Sequence, residues 1–281
     1  MADDGRSVKR SSFALLVAPA ILAGAMFFVL PLAALALDAL GEGTAAFLRV
    51  LALPTFWPSL AGSALLTLVA AGVSTLVGLA VAVHLASLPE RRRTLLSFVI
   101  ALPLTFSGLI VAYGFILGWG RAGFFTQLLG FAGLDTAVIG KALFTPVGLA
   151  FASSYYLIPR VVMQLLPVLV NFDRTQLAAA ESLGATRAEA FRHVLLPQIA
   201  APVAAAAMLV AAVVFGAYGT ALALVGTQLR ILPLQLYSLI SETGSDFPAA
   251  AALALLITAA CSAMLAAGEL FGSRHERHLA S

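Results

Sequence analysis

Residues 59–87, SLAGSALLTLVAAGVSTLVGLAVAVHLAS, contain no Asp, Glu, Lys or Arg. The stretch exceeds the roughly 20 apolar residues that a helix needs to cross a bilayer. Its hydrophobic residues are continuous and lack the period-two alternation of a membrane β-strand, and only a helix satisfies its own backbone in lipid. Comparable runs recur at 13–37, 95–119, 143–168, 198–226 and 248–272. The expected fold is all-α, a polytopic membrane protein of about six transmembrane helices. Composition agrees: 61% hydrophobic and 10% charged residues, with a mean hydropathy of +1.02, leave too few polar groups to cover a soluble globule. The first run follows Arg6, Lys9 and Arg10. At about 25 residues it is longer than the core of a cleaved signal, so it is expected to remain as an anchor.

The basic residues are divided unevenly between the connections. Arg6, Lys9, Arg10, Arg91, Arg92, Arg93, Arg174, Arg187, Arg192, Arg274 and Arg277 fall on one side, against Arg49, Arg121, Lys141 and Arg230 on the other. The richer side is expected to be cytoplasmic, with both termini inside. The net charge of +3 reflects this asymmetry and gives no reason to expect nucleic-acid binding.

On that richer side lies ESLGATRAEAFRHVLLP, residues 181–197, a polar and glycine-punctuated segment between two hydrophobic runs. Asp173 is placed to cap a helix through Gln176, Leu177 and Ala180. Gly184 interrupts that helix, a second short helix carries Arg187 to His193, and Pro197 starts the next span. Leu183, Ala190, Phe191 and Leu195 form a small apolar face. That face either packs on the protein's own cytoplasmic helix ends or docks a soluble partner.

LAAAESLGATRAEAFRHVLLP, residues 177–197, resembles the cytoplasmic loop shared by permease subunits of type I binding-protein-dependent ABC importers. The matching residues are Ala179, Ala180, Leu183, Gly184, Ala185, Phe191, Leu196 and Pro197, whereas Ala178 stands where the family usually has Glu. The resemblance implies a cytoplasmic coupling helix seated in an ATP-hydrolysing partner, with Ala179, Ala180, Leu183, Gly184, Ala185, Arg187, Phe191 and Pro197 as the docking residues. It further implies a dimer of ABC ATPase subunits, a second permease that is homologous or identical, and an external solute-binding protein. The expected setting is the bacterial inner membrane. The resemblance divides the chain into a tail, first helix and external loop over 1–58, a permease core over 59–272 and a cytoplasmic tail over 273–281.

The chain is not expected to be an enzyme or to bind a cofactor. The nearest approach to a P-loop, Gly133 to Lys141, has too many residues between its glycines and is followed by Ala142 in place of Ser or Thr. ATP and Mg are therefore expected on the partner ATPase. Cys261 is alone in an apolar helix, and HERH at 275–278 reads as a solvated terminal charge run, so no metal site is expected.

Polar and aromatic residues inside spans are costly in lipid and usually face protein or water. Thr105, Ser107, Tyr113, Ser153, Ser154, Tyr155, Tyr156, Arg160 and Tyr218 are thus the candidates for a substrate path. Each has a plainer alternative: serines bond their own helix, tyrosines join an interfacial belt, and Arg160 snorkels to headgroups. Pro103 and Pro159 are expected to kink their helices. Gly114 and Gly118 form a GxxxG pair for close helix contact, within the bundle or with a second permease. RILPLQLYSLISE, from Arg230, places Leu232, Leu236, Leu239 and Ile240 on one face of an external interfacial helix that could gate the path.

The pattern resembles permeases for polyamines, aminophosphonates, ferric iron or sulfate-type oxyanions. The cationic Arg160 and the lack of acidic residues in the span centres favour an anion over a polyamine. They also disfavour the alternative of an ion-coupled secondary transporter, since Asp38 and Glu269 lie only at span ends.

Overall fold

The computed structural model describes residues 17–226, 229–241 and 246–279, with side chains through residue 272. Arg6, Lys9, Arg10 and the start of the first predicted span lie outside the described residues, as do the side chains of Arg274, Arg277 and the HERH stretch. In chain order the helices are α1 Val17–Leu40, α2 Ala45–Ala52, α3 Phe56–Ala86, α4 Glu90–Ala101, α5 Gly108–Trp119, α6 Phe124–Phe131 and α7 Thr136–Ala142. They continue with α8 Pro146–Val170, α9 Thr175–Ser182, α10 Arg187–Phe215, α11 Gly219–Val225, α12 Leu232–Ser241 and α13 Phe247–Leu279. The described residues contain no strand, and six helical segments are long and apolar enough to cross a membrane.

The chain divides into two compact units, one of residues 1–53 and 239–256, the other of residues 54–238 and 257–281. In the smaller, α2 buries Ala46 and Val50 and presents Arg49 to two acids. Arg49 Nε donates to Asp246 Oδ2 at 3.0 Å and Nη2 to Oδ1 at 3.1 Å, while Nη1 meets Glu42 Oε2 at 2.5 Å. The Arg49 hydrogen bonds hold the Asp246 carboxyl below the usual carboxylate range.

The larger unit is built on α3, which packs most extensively against α8 and then α10. Small residues allow this close approach: a Cβ at Gly78 would lie 2.7 Å from the Cβ of Val161, and Ala70, Ala82, Ala152 and Ala206 are fully buried at the seam. Leu149, Leu157, Val161, Val162, Leu165, Ile199 and Val210 fill the rest of the core. Helix α8 starts on Thr145, whose hydroxyl accepts from Gly148 N at 3.2 Å, with Pro146 in the first turn where its missing N–H costs nothing. Pro159 and Pro167 lie inside α8, which continues through both; neighbouring helices make such prolines tolerable in a membrane bundle.

Several predicted boundaries are corrected. The third span does not run 95–119. Helix α4 ends at Ala101, a 3-10 turn covers Leu102–Thr105, Phe106 and Ser107 are extended, and the crossing segment is Gly108–Phe131. Pro103 cannot donate to a continuing helix, and Ser107 caps a new one by accepting from Ile110 N at 3.4 Å. The fifth long apolar helix runs Arg187–Phe215 instead of 198–226. The short helix expected after Gly184 is not separate from it, because Pro197 does not break α10. Upstream of Pro197, Phe191–Leu195 form a π turn in which Leu196 N–H reaches the Phe191 carbonyl. The wider turn accommodates a ring that would clash with the carbonyl four residues back in a regular helix.

Candidate functional site

The polar loop between α8 and α10 is built from two back-to-back caps. Asp173 Oδ1 accepts from Thr175 N at 3.0 Å and from Thr175 Oγ1 at 2.7 Å to start α9, and the hydroxyl bond, then the amide bond, lowers the Asp173 pKa. At the other end Gly184 adopts φ +95°. Gly184 N donates to Glu181 O at 3.0 Å and Ala185 N to Ala180 O at 3.1 Å, the paired bonds of a glycine-terminated helix. Thr186 then opens α10 with a capping box: its hydroxyl accepts from Glu189 N, and Glu189 Oε2 accepts from Thr186 N at 2.8 Å. The spacing of Thr186 and Glu189 is a sequence signal for this box that the pattern of apolar residues alone did not bring out.

Between these caps Leu183 projects outward at 89% exposure. The apolar face predicted for the loop is thereby divided. Ala190 and Leu195 are buried, and Phe191 is half-buried against the core, lining a cavity of about 240 Å³ under the loop. Phe191 is thus an inward packing residue, and Leu183 is the exposed knob. Ala178, Ala179 and Arg187 are exposed, Ala180 and Ala185 half-buried, and Pro197 lies on an exposed part of α10. Gln198 Nε2 donates to Gln176 Oε1 at 2.6 Å, tying α9 to α10, and Arg174 Nη2 donates to the Ala86 carbonyl at the end of α3.

A second arrangement lies where two helix interruptions meet, one at Leu102–Ser107 and the other at Gly216–Tyr218. They flank a cavity of about 360 Å³ that brings Ser107, Tyr156 and Arg160 together with Gly108 and Thr220. Buried Tyr156 and Thr220 approach each other hydroxyl to hydroxyl at 3.4 Å, and a Cβ at Gly108 would lie 2.4 Å from Thr220 Oγ1. The close approach of α5 and α11 therefore requires a glycine there. Among the described residues, no acidic one lines the cavity. Arg160, half-buried, supplies its cationic group.

The other predicted path residues go elsewhere. Thr105 turns its hydroxyl back to Leu102 O at 2.7 Å, Ser154 bonds Ala150 O at 2.8 Å, and Tyr113 is exposed. Ser153 is buried, and Tyr218 pairs with Tyr237, their ring centres 5.7 Å apart. Tyr155 lines a separate apolar cavity of about 380 Å³ with Gly114 and Gly118. Gly114 meets no atom within contact range there, and Gly118 faces the Phe125 ring. Of the predicted GxxxG pair, Gly114 thus opens on a cavity while Gly118 packs on the Phe125 ring of α6. Among the described residues no group of His, Cys, Asp and Glu could hold a metal ion.

The family model described as the binding-protein-dependent transport system inner membrane component matches residues 74–277. The sulfate transport system permease protein CysT of Salmonella typhimurium is 29% identical over 274 residues, covering 95% of this chain and 95% of that protein. The spermidine/putrescine transport system permease protein PotB of Escherichia coli is 26% identical over 220 residues, covering 75% of this chain and 76% of that protein. A chloroplastic sulfate permease 2 of Chlamydomonas reinhardtii is 30% identical over 162 residues, and this chain spans only 42% of its length. A chain of a bacterial alginate ABC transporter, crystallised with a periplasmic protein bound to an alginate pentasaccharide, shares the fold with a TM-score of 0.77 at 16% identity, covering 96% of each chain.

Proposed function

This chain belongs to the family of binding-protein-dependent transport system inner membrane components, multi-pass permease subunits of ABC importers, and on that premise we propose that it carries an anionic solute through the cavity around Arg160. Two permeases and two ATPase subunits form the working importer, which receives its solute from an external binding protein. The loop from Asp173 to Thr186 docks in the ATPase with Leu183 as its knob, and ATP and Mg are held there. Closure of the ATPase dimer moves the docked loops, and the bundles rock to expose the cavity outward.

The observation that carries the solute class is the position of Arg160 in a cavity without a carboxylate, beside Ser107, Tyr156 and Thr220. A guanidinium with hydroxyls around it offers donors to an oxyanion, whereas a polyamine would need acids to replace its hydration. The full-length match to a relative named for sulfate supports the same reading.

Co-purification with an ATPase subunit, followed by uptake of labelled sulfate, 2-aminoethylphosphonate and spermidine in proteoliposomes with candidate binding proteins, tests it. The expected result is uptake of an anion that falls about tenfold or more in Arg160→Gln while ATPase association stays intact, as loss of a charge-assisted contact predicts. Uptake of spermidine alone, or anion uptake unchanged in that variant, would return Arg160 to a snorkelling anchor.

A further inference from the structure

Helix α3 is held at both ends by elements remote in sequence. At its C-terminal end the Arg174 guanidinium donates to the carbonyl of Ala86, one of the last carbonyls of the helix, which have no partner within it and carry the negative end of the helix dipole. Arg174 is the residue that opens α9, the helix bearing the Leu183 knob. At the opposite end, Ser63 Oγ accepts from Leu232 N at 2.9 Å and Thr55 Oγ1 accepts from Gln235 Nε2 at 3.1 Å. A Cβ at Gly62 would lie 2.1 Å from the Arg230 carbonyl, so the segment leading into α12 lies directly on the backbone of α3. Ser63 and Leu232 are both 2% exposed.

The helix Phe56–Ala86 is unbroken, and Ser63 and Ala86 lie 23 residues apart on it, about 35 Å of rise. A helix resists compression far better than a loop does, and this one forms the most extensive helix seam of the larger unit. We infer that α3 is a push rod that carries displacement of the docking loop to the α12 segment at the opposite end, with Arg174 and Ser63 as positioning residues at its two grips. The inference rests on the proposed docking of the loop in an ATPase and extends it to the route by which the far side responds. Motion of the loop reaches α10 as well through Gln176 and Gln198, while α3 is gripped at both ends.

The test uses the assembled complex in a Cys261→Ser background, with spin labels at Phe131 and Tyr237 read before and after trapping with Mg-ATP and vanadate. In the unaltered chain, trapping shifts the label distance. In complexes purified with the ATPase subunits bound, Arg174→Ala is expected to reduce the shift about fivefold or more, in line with typical coupling strengths. Arg174→Lys, which keeps a donor, restores most of it. Ser63→Ala gives the same loss from the other end, and the double variant is no worse than either single one because both break one rod. A full shift in Arg174→Ala, or losses that simply add in the double variant, overturns the rod. If Arg174→Ala fails to assemble, Ser63→Ala decides: a full shift in that assembled variant overturns it as well. Failure of the unaltered chain to bind an ATPase refutes the docking on which the rod depends, a result distinct from all of these.

Discussion

The docking loop and the Arg160 cavity hold their shapes in opposite ways. The loop is mainly local: the bonds of the Gly184 turn and of the Thr186 capping box span five residues or fewer, with Gln176–Gln198 and Arg174–Ala86 tying it to the bundle, and most of its polar groups face water. The cavity is non-local. It needs the α4–α5 break, a residue midway along α8 and the α10–α11 break to converge, and its one direct hydroxyl pair joins residues 64 apart. A site built from local caps can be carried as a cassette between sequences, whereas a site built from convergence changes whenever any of its walls shifts.

Substitutions can break that contrast. The largest effect is expected from Gly184→Pro, which removes the N–H that bonds Glu181 and forbids a positive φ. Uptake should drop to background and co-purification with the ATPase should fail, while membrane insertion and the cavity remain intact. Next comes Gly108→Val, whose side chain would collide with Thr220. Overpacking of this kind costs about 1–3 kcal/mol, and here uptake should fall with ATPase association unchanged, the reverse pattern. Thr186→Ala removes one cap, worth about 1 kcal/mol, and should weaken ATPase affinity several-fold in a pull-down titration without abolishing uptake.

The smallest effect belongs to the Arg49–Asp246 contact in the other unit, which neither site uses. Because Arg49 lowers the Asp246 pKa, the folded state binds this proton less readily than the unfolded chain. Its contribution is therefore complete above the ordinary carboxylate pKa of about 3.9 and is lost only as pH falls through the lower folded value. The protection of residues 45–52 against hydrogen exchange, taken relative to the free-chain rate at each pH, should be flat from neutral to about pH 5, and Asp246→Asn should lower it slightly at every pH in that range, as expected for an exposed ion pair.

The same contrast explains what could be read from the sequence. Spans such as 59–87 and 248–272 were legible because membrane crossing demands long apolar runs, and the Gly184 turn was legible because a local cap needs a particular residue at a particular place. Hydropathy carried the third span straight through Pro103 and Ser107, since two isolated breakers among apolar neighbours barely change a running average. Helical spacing placed Phe191 beside Leu183 on an apolar face but could not say which of them turns inward, a matter of packing on α3 and α8. Gly108 and Thr220 went unnoticed because neither is unusual alone, and each acquires its role only when α5 meets α11.

The π turn at Phe191–Leu195 also sets a phase. A π turn holds one residue more than an α turn, and each residue of an α-helix rotates the downstream chain by roughly 100° about the axis. The five residues of this turn rotate the chain through about the angle that four cover in an α-helix, so the extra residue is absorbed locally and Ile199, Ala206 and Val210 still face the seam they fill. Removing one residue within Phe191–Leu195 would keep that phase and press the Pro197 ring on the carbonyl four residues back, whereas removing one from the regular part of α10 would swing everything beyond it by roughly 100°. A deletion within the π turn should therefore be better tolerated than one farther along α10.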